Sequence, residues 1–242
     1  MTNLSLTFAL IQSKQKMKAY WWKILAILLL AYTLIGGLLF DAPRLPILNE
    51  TIRALHFHVT MWFGMIIMLV VAVIYSIKYL RTNDIKNDDI ALEFTQAGLL
   101  FGMLGIFTGM LWAKFTWGAY WSGDPKQNAS AIGLLIYFAY LILRNSLPDL
   151  QQRARIGAVY NIFAFAAFIP LIFILPRLTD SLHPGNGGNP GFNAYDMDSS
   201  LRMVFYPAVI GWTLLGTWMS TIKVRMRRLE RKLEDQLINQ VQ

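Results

Sequence analysis

Six apolar runs, at about 20–40, 57–79, 91–112, 128–143, 156–175 and 201–222, divide this sequence of 242 residues. A hydrocarbon layer about 30 Å thick is crossed by a helix of about 20 apolar residues, each adding about 1.5 Å. A chain this size has no soluble interior for so many runs of that length, so the sequence predicts an all-α integral membrane protein. It is read as six transmembrane helices forming a single polytopic membrane domain over 1–242. Composition agrees, with 55% of residues hydrophobic, only 15% charged and a mean hydropathy of +0.43. The first run is longer than a signal-peptide core and no small-residue cleavage site follows it cleanly, which predicts a retained anchor.

The formal charge of +8 points to topology and not to nucleic acid, because the basic residues gather at the ends of the apolar runs. Setting Lys23 aside at a boundary, fifteen Lys and Arg fall on one side of the six-span scheme. Six fall on the other: Arg44, Arg53, Lys114, Lys126, Arg177 and Arg202. The positive-inside rule then puts both termini in the cytoplasm and gathers the loops at 41–50, 113–127 and 176–200 on the outer face. The basic tail, 223–242, carries leucines at 229, 233 and 237; it reads as a helix leaving the membrane and meeting anionic lipid or a partner. Gly98, Gly102, Gly105 and Gly109 recur at spacings of four, three and four, a stripe that lets membrane helices approach closely. Asn49 is a candidate N-cap ahead of the second run, and the Gly-Asn core at 185–191 cannot be regular structure.

Chemistry concentrates on the outer face. The stretch from Phe115 to Gln127 sets Trp117, Tyr120 and Trp121 beside Gly118, Gly123 and Asp124. Such rings make either an interfacial belt or a platform for a flat ligand. The histidines bear on the choice. There are three, His56 and His58 at the outer end of the second run and His183 in the outer loop after the fifth. An aromatic shelf with imidazoles available beside it suits an iron porphyrin, so haem is the expected ligand. Two residues turn a helix by about 200°, so His56 and His58 cannot both face one pocket. His58 shares a face with Trp62 and Met65 and is preferred, with His56 in reserve. Asp124, before Pro125 and three residues ahead of Gln127, reads as an N-cap in a near capping box. Lys126, Arg177, Arg202 and Arg53 are the cations that could meet haem propionates. No cysteine is present, so neither a thiolate site nor a thioether link to haem is available. No Ser/His/Asp set, P-loop or paired carboxylates favour a conventional enzyme.

The segment Trp117-Gly-Ala-Tyr-Trp-Ser-Gly-Asp124 resembles the WWD signature of haem-handling proteins in cytochrome c maturation, and the six-run frame resembles their CcmC members. His58-Val-Thr resembles that family's His-Val-Pro, and Leu182-His183-Pro184-Gly185 resembles its second histidine site. Gly123 stands where the family motif has its last tryptophan, and Thr60 where it has proline. The resemblance implies a protein of the bacterial cytoplasmic (inner) membrane that holds haem b, non-covalently, at the periplasmic face. It implies His58 and His183 as axial ligands, and Trp117, Gly118, Tyr120, Trp121 and Asp124 as the shelf. It also implies delivery to a periplasmic haem chaperone (CcmE-like), beside ABC transporter subunits (CcmA/CcmB-like) and a small membrane subunit (CcmD-like). Asp-Pro-Lys-Gln also resembles the CcsA-type synthases that attach haem to apocytochrome; that reading wants histidines at mid-membrane depth, and the runs hold none. A structural assembly subunit with an interfacial aromatic loop is the alternative from another class, and a permease would want more ionisable residues within the runs.

Overall fold

A computed structural model describes residues 2–43, 48–183 and 197–241. Among them the chain is helical with no strand: α1 (Thr2–Leu39), a 3-10 segment (Asn49–Ala54), α2 (Leu55–Thr82), α3 (Ile85–Trp117), α4 (Pro125–Ser146), α5 (Leu150–Ile169), a π segment (Pro170–Ile174), α6 (Leu175–Leu178) and α7 (Ser199–Val241). Five helical stretches are long and apolar enough to cross a membrane, beginning at Tyr20, Asn49, Ile85, Pro125 and Leu150. The apolar run at 201–222 is the first half of α7, which continues unbroken past Pro207 to Val241.

Aspartates start most of these helices. The Asp84 side chain accepts from the Lys86 N–H, Asp124 from Lys126, Asp149 from Gln152 and Asp198 from Leu201, each satisfying an amide that has no intrahelical partner. Asn83, left-handed at φ 53°, ends α2 by donating its N–H to the Tyr79 carbonyl, and with Asp84 it makes a two-residue turn. So short a link forces α2 and α3 into an antiparallel hairpin. This hairpin is the centre of the bundle: α4 and α5 pack on one side, and α7, with α1 behind it, on the other.

The hairpin closes because two spacings match. On α3 the glycines fall at 98, 102, 105 and 109, and on α2 Leu69, Met65, Trp62 and His58 descend by the same four, three and four. A methyl group built on Gly98 would meet Leu69 at 3.1 Å, on Gly102 the Met65 sulfur at 2.7 Å, on Gly105 the Trp62 ring at 2.8 Å and on Gly109 the His58 ring at 2.5 Å. Each large α2 side chain therefore fills a place that only the missing Cβ leaves open, and the backbones come together by dispersion contact.

Several elements extend beyond their expected limits. The loop expected at 113–127 is helical through Trp117 and again from Pro125, so only 118–124 lie outside helices. Asn49 is not a cap; it sits at φ 42° as the first residue of the 3-10 segment, whose entry is held by Thr51 Oγ1 donating to the Leu48 carbonyl. The region expected to be an outer loop at 176–200 begins with the turn α6 and ends on Asp198, and its Gly-Asn core lies outside the described residues.

One end of the bundle is held by ion pairs. Arg144 of α4 forks onto Asp88 at the start of α3, with Nη1 2.8 Å from Oδ1, and both side chains are buried. Asp89 pairs with Arg231, and Glu93 with Arg227 at 2.6 Å. Both turns, 83–84 and 147–149, lie at this end; the 118–124 loop and all three histidines lie at the other. Removing one partner of a buried pair costs about 3–5 kcal/mol because the other charge is stranded. Arg144→Met should therefore lower the thermal unfolding midpoint in detergent sharply, whereas Arg144→Met with Asp88→Leu should recover most of the loss. Equal midpoints for the single and double variants would show that the pair does not act as a unit.

Candidate functional site

His58 sits in the first turn of α2, where the α3 glycines admit its ring. Its Nδ1 lies 2.8 Å from the Gly105 carbonyl oxygen and 3.3 Å from Thr108 Oγ1. A carbonyl can only accept, so Nδ1 carries the proton and Nε2 keeps its lone pair. The ring stands edge-on to Trp62, with centroids 6.4 Å apart, and to Trp112 at 5.7 Å. Trp112 is itself tied through Nε1 to Thr51 Oγ1 at 3.2 Å. A groove of about 400 Å³ opens alongside, walled by Phe57, Thr108, Leu111, Trp112 and Phe115.

His183 reaches the same end of the molecule from the segment after α6. Its Nδ1 lies 2.8 Å from Asp124 Oδ1, and its ring stands edge-on to Trp117 with centroids 4.9 Å apart. The carboxylate does for His183 what the carbonyl does for His58: it accepts a hydrogen bond from Nδ1–H and leaves the lone pair on Nε2. Histidines that bind metals are oriented in the same way, with the other ring nitrogen held by a carboxylate or a carbonyl.

Asp124 is the junction of the site. Oδ1 accepts from the Lys126 N–H at 2.8 Å as well as from His183, while Oδ2 accepts from Ser181 Oγ at 2.9 Å and the Leu182 N–H at 2.7 Å. Burial alone would push its pKa up, but the donors from His183, Leu182 and Ser181 outweigh it and hold the carboxyl well below the usual range. The capping box expected here does not close. Gln127 turns instead to the loop, where its Oε1 accepts from the Ser122 N–H at 3.0 Å and from Ser122 Oγ at 3.1 Å. Asn128 completes the brace, donating Nδ2 to the Gly123 carbonyl at 2.9 Å and accepting from Trp121 Nε1 at 3.1 Å.

The loop needs its glycines for conformation. Gly118 (φ 85°) ends α3 with its N–H on the Lys114 carbonyl, and Gly123 (φ 75°) turns the chain into Asp124. A side chain at either would meet open space, so the constraint is the left-handed backbone and not crowding. Tyr120 and Trp121 are exposed, Trp117 is half-buried, and Lys114 Nζ stands 5.6 Å from the Tyr120 ring centroid.

His56, the reserve ligand, faces the opposite way. It is buried on the α1 and α7 side, its Nδ1 has no hydrogen-bond partner, and it borders a separate cavity of about 450 Å³ with Arg53, Asp41 and Ser200. Thr60, where the family motif has proline, is buried and returns its hydroxyl to the His56 carbonyl at 2.6 Å. Three of the outer cations also differ among themselves. Arg53 is committed to Glu50 at 2.7 Å and to the Phe40 carbonyl at 2.6 Å, and Arg202 Nε to the Met197 carbonyl at 2.9 Å. Among the described residues no hydrogen bond or salt bridge engages the half-buried Lys126 ammonium.

Sequence reasoning placed Gly105 in a packing stripe and Gln127 in a cap but missed that the Gly105 carbonyl orients His58 and that Gln127 and Asn128 brace the loop. Gly105 was detectable: the glycine spacing repeats that of His58, Trp62, Met65 and Leu69. Asp124→Ala removes the cap, worth about 0.5–2 kcal/mol, and releases residues 181–183 from the loop. Amide exchange in the 179–183 segment should accelerate markedly while exchange within α2 and α3 holds. Unchanged exchange at 179–183 would show that Asp124 is not the tie.

Comparison with known proteins gives a concordant picture. The family described as CcmC, heme exporter protein C, matches residues 4–239. The chain is 25% identical to the heme exporter protein C of Haemophilus influenzae over 216 residues, covering 85% of this chain and 82% of that protein. It is 26% identical to that of Bradyrhizobium diazoefficiens over 187 residues, 76% of this chain and 70% of that protein. A shorter likeness, 37% over 79 residues, links 32% of the chain to the cytochrome c biogenesis protein CcsA of Pelargonium hortorum. There the chain spans about a quarter of its relative's length.

Proposed function

This chain belongs to the heme exporter protein C (CcmC) family, and from that premise we propose that it binds haem b non-covalently at the outer face of the bacterial cytoplasmic membrane and delivers it to a periplasmic haem chaperone for c-type cytochrome maturation. The observation that carries the proposal is the matched pair of imidazoles. His58 and His183 each have Nδ1 held by an acceptor that cannot donate, so each offers Nε2 to a metal. In this reading the two Nε2 atoms are the axial ligands of the haem iron, and Trp117, Tyr120 and Trp121 lie against the macrocycle. Gly118 sets the turn that presents those rings, and Asp124 orients His183. With no cysteine in the chain, no thioether link to the haem can form.

The cargo is an amphiphile with two carboxylates, and Lys126 is the cation best placed to meet one of them. It opens α4 two residues after Asp124, and among the described residues no hydrogen bond or salt bridge engages its ammonium. In the membrane frame of this proposal, 201–222 of α7 forms a sixth span, both termini are cytoplasmic, and the histidine end faces the periplasm. Handover follows when the chaperone's own ligand displaces one imidazole from the iron. ABC transporter subunits and a small membrane subunit are the proposed companions. The CcsA-type alternative, direct attachment of haem to apocytochrome, is less well supported, because the likeness covers only part of both chains and the apolar runs hold no histidine at mid-membrane depth.

The protein purified in mild detergent with haem should show a Soret band of bis-histidine character. Both His58→Ala and His183→Ala should shift or abolish it. A wild type that stays colourless with added haem while remaining folded would overturn the proposal and return the aromatic loop to an interfacial belt. Lys126→Gln should weaken haem binding by about tenfold or more, the scale of a charge-assisted hydrogen bond, without moving the band, and Lys126→Arg should retain affinity. If Lys126→Gln binds haem as tightly as the wild type, the propionate partner lies elsewhere.

A further inference from the structure

The far half of α7 has two faces of opposite character. One faces the hairpin: Arg227 pairs with Glu93, Arg231 with Asp89, and Arg228 Nη2 donates to the Lys86 carbonyl at 3.0 Å. The other holds Ile222, Met226, Leu229, Leu233 and Leu237, 44%, 56%, 62%, 54% and 62% exposed. The first four are spaced four, three and four, the repeat of a coiled-coil seam, and Leu237 widens the stripe by one more turn. The ionic clamps fix which way this seam looks.

Lipid tails are a poor cover for it. The same stretch interleaves Arg225, Arg227, Arg228, Glu230, Arg231 and Lys232, charges that hydrocarbon rejects.

We propose that the exposed seam of α7 is a homodimer interface, occupied by the same segment of a second copy of this chain in a parallel two-stranded coil. Two copies inserted in one membrane share an orientation, so their tails run side by side in parallel, as a two-fold axis along the membrane normal requires. Parallel register sets the residue before one seam position against the residue five further along the partner. Arg225 then faces Glu230 of the second copy, and Glu230 faces the second copy's Arg225. Within one chain both side chains are exposed and, among the described residues, neither has a salt-bridge partner. The pairing is independent of haem binding and of the residues assigned to it.

The chain lacks cysteine, so introduced thiols report on the interface directly. Leu229→Cys, Leu233→Cys and, on the opposite face, Asp235→Cys are to be oxidised in the full-length protein in native membranes. The first two should convert largely to a covalent dimer and the third only in traces. Arg225→Glu should reduce cross-linking at Leu233→Cys, and adding Glu230→Arg should restore it, because only self-pairing in parallel register exchanges both charges at once. Equal cross-linking at all three sites would indicate random collision and overturn the proposal. So would a Leu233→Cys chain that stays monomeric, whether it is open to a water-soluble maleimide, shielded by vesicle lipid or cross-linked to a different protein. Failure of the double charge exchange to restore the dimer would also refute the parallel register.

Discussion

The close approach of α2 and α3 is the constraint on which the rest of the molecule depends. Helices α4, α5 and α7 are positioned against this hairpin, and the hairpin closes only because four glycines on one helix meet four large side chains on the other in the same spacing. The end of that seam is the beginning of the site. Gly109 admits the His58 ring and the Gly105 carbonyl fixes its tautomer, so the packing that assembles the bundle also prepares a donor nitrogen.

Asp124 plays the corresponding role for the loops. A single carboxylate starts α4, anchors the segment after α6 and orients His183. Its position in the sequence announces only the first of these tasks, because an acid before proline is an ordinary helix start. The other two depend on a segment 57 to 59 residues away. Side-chain hydrogen bonds over that distance leave no periodic trace in a sequence.

What was legible followed from periodicity and from sharp local chemistry. Apolar runs gave the helices, the 200° argument separated His56 from His58, and the glycine spacing foretold close packing. What was not legible involved extent and pairing. Lys114 and Phe115 look like loop residues beside an aromatic motif, yet α3 carries them because its backbone ladder continues until Gly118 turns it left-handed. The tail's arginines read as membrane-surface charge, whereas Arg227 and Arg231 answer the acids Glu93 and Asp89 at the start of α3. Gln127 looked like half of a capping box, but the Ser122 hydroxyl and amide compete for it and win two hydrogen bonds.

The two histidines have supports of different kinds. His58 stands in a helix, between tryptophans and against a neighbouring backbone; His183 stands in irregular chain, held through Nδ1 by Asp124 and edge-on to Trp117. One of the pair is thus part of the bundle, and the other belongs to the loops that Asp124 ties together. In the proposed handover His183 would be the contact to release, and His58 the one to retain the cargo until the receiving protein has hold of it.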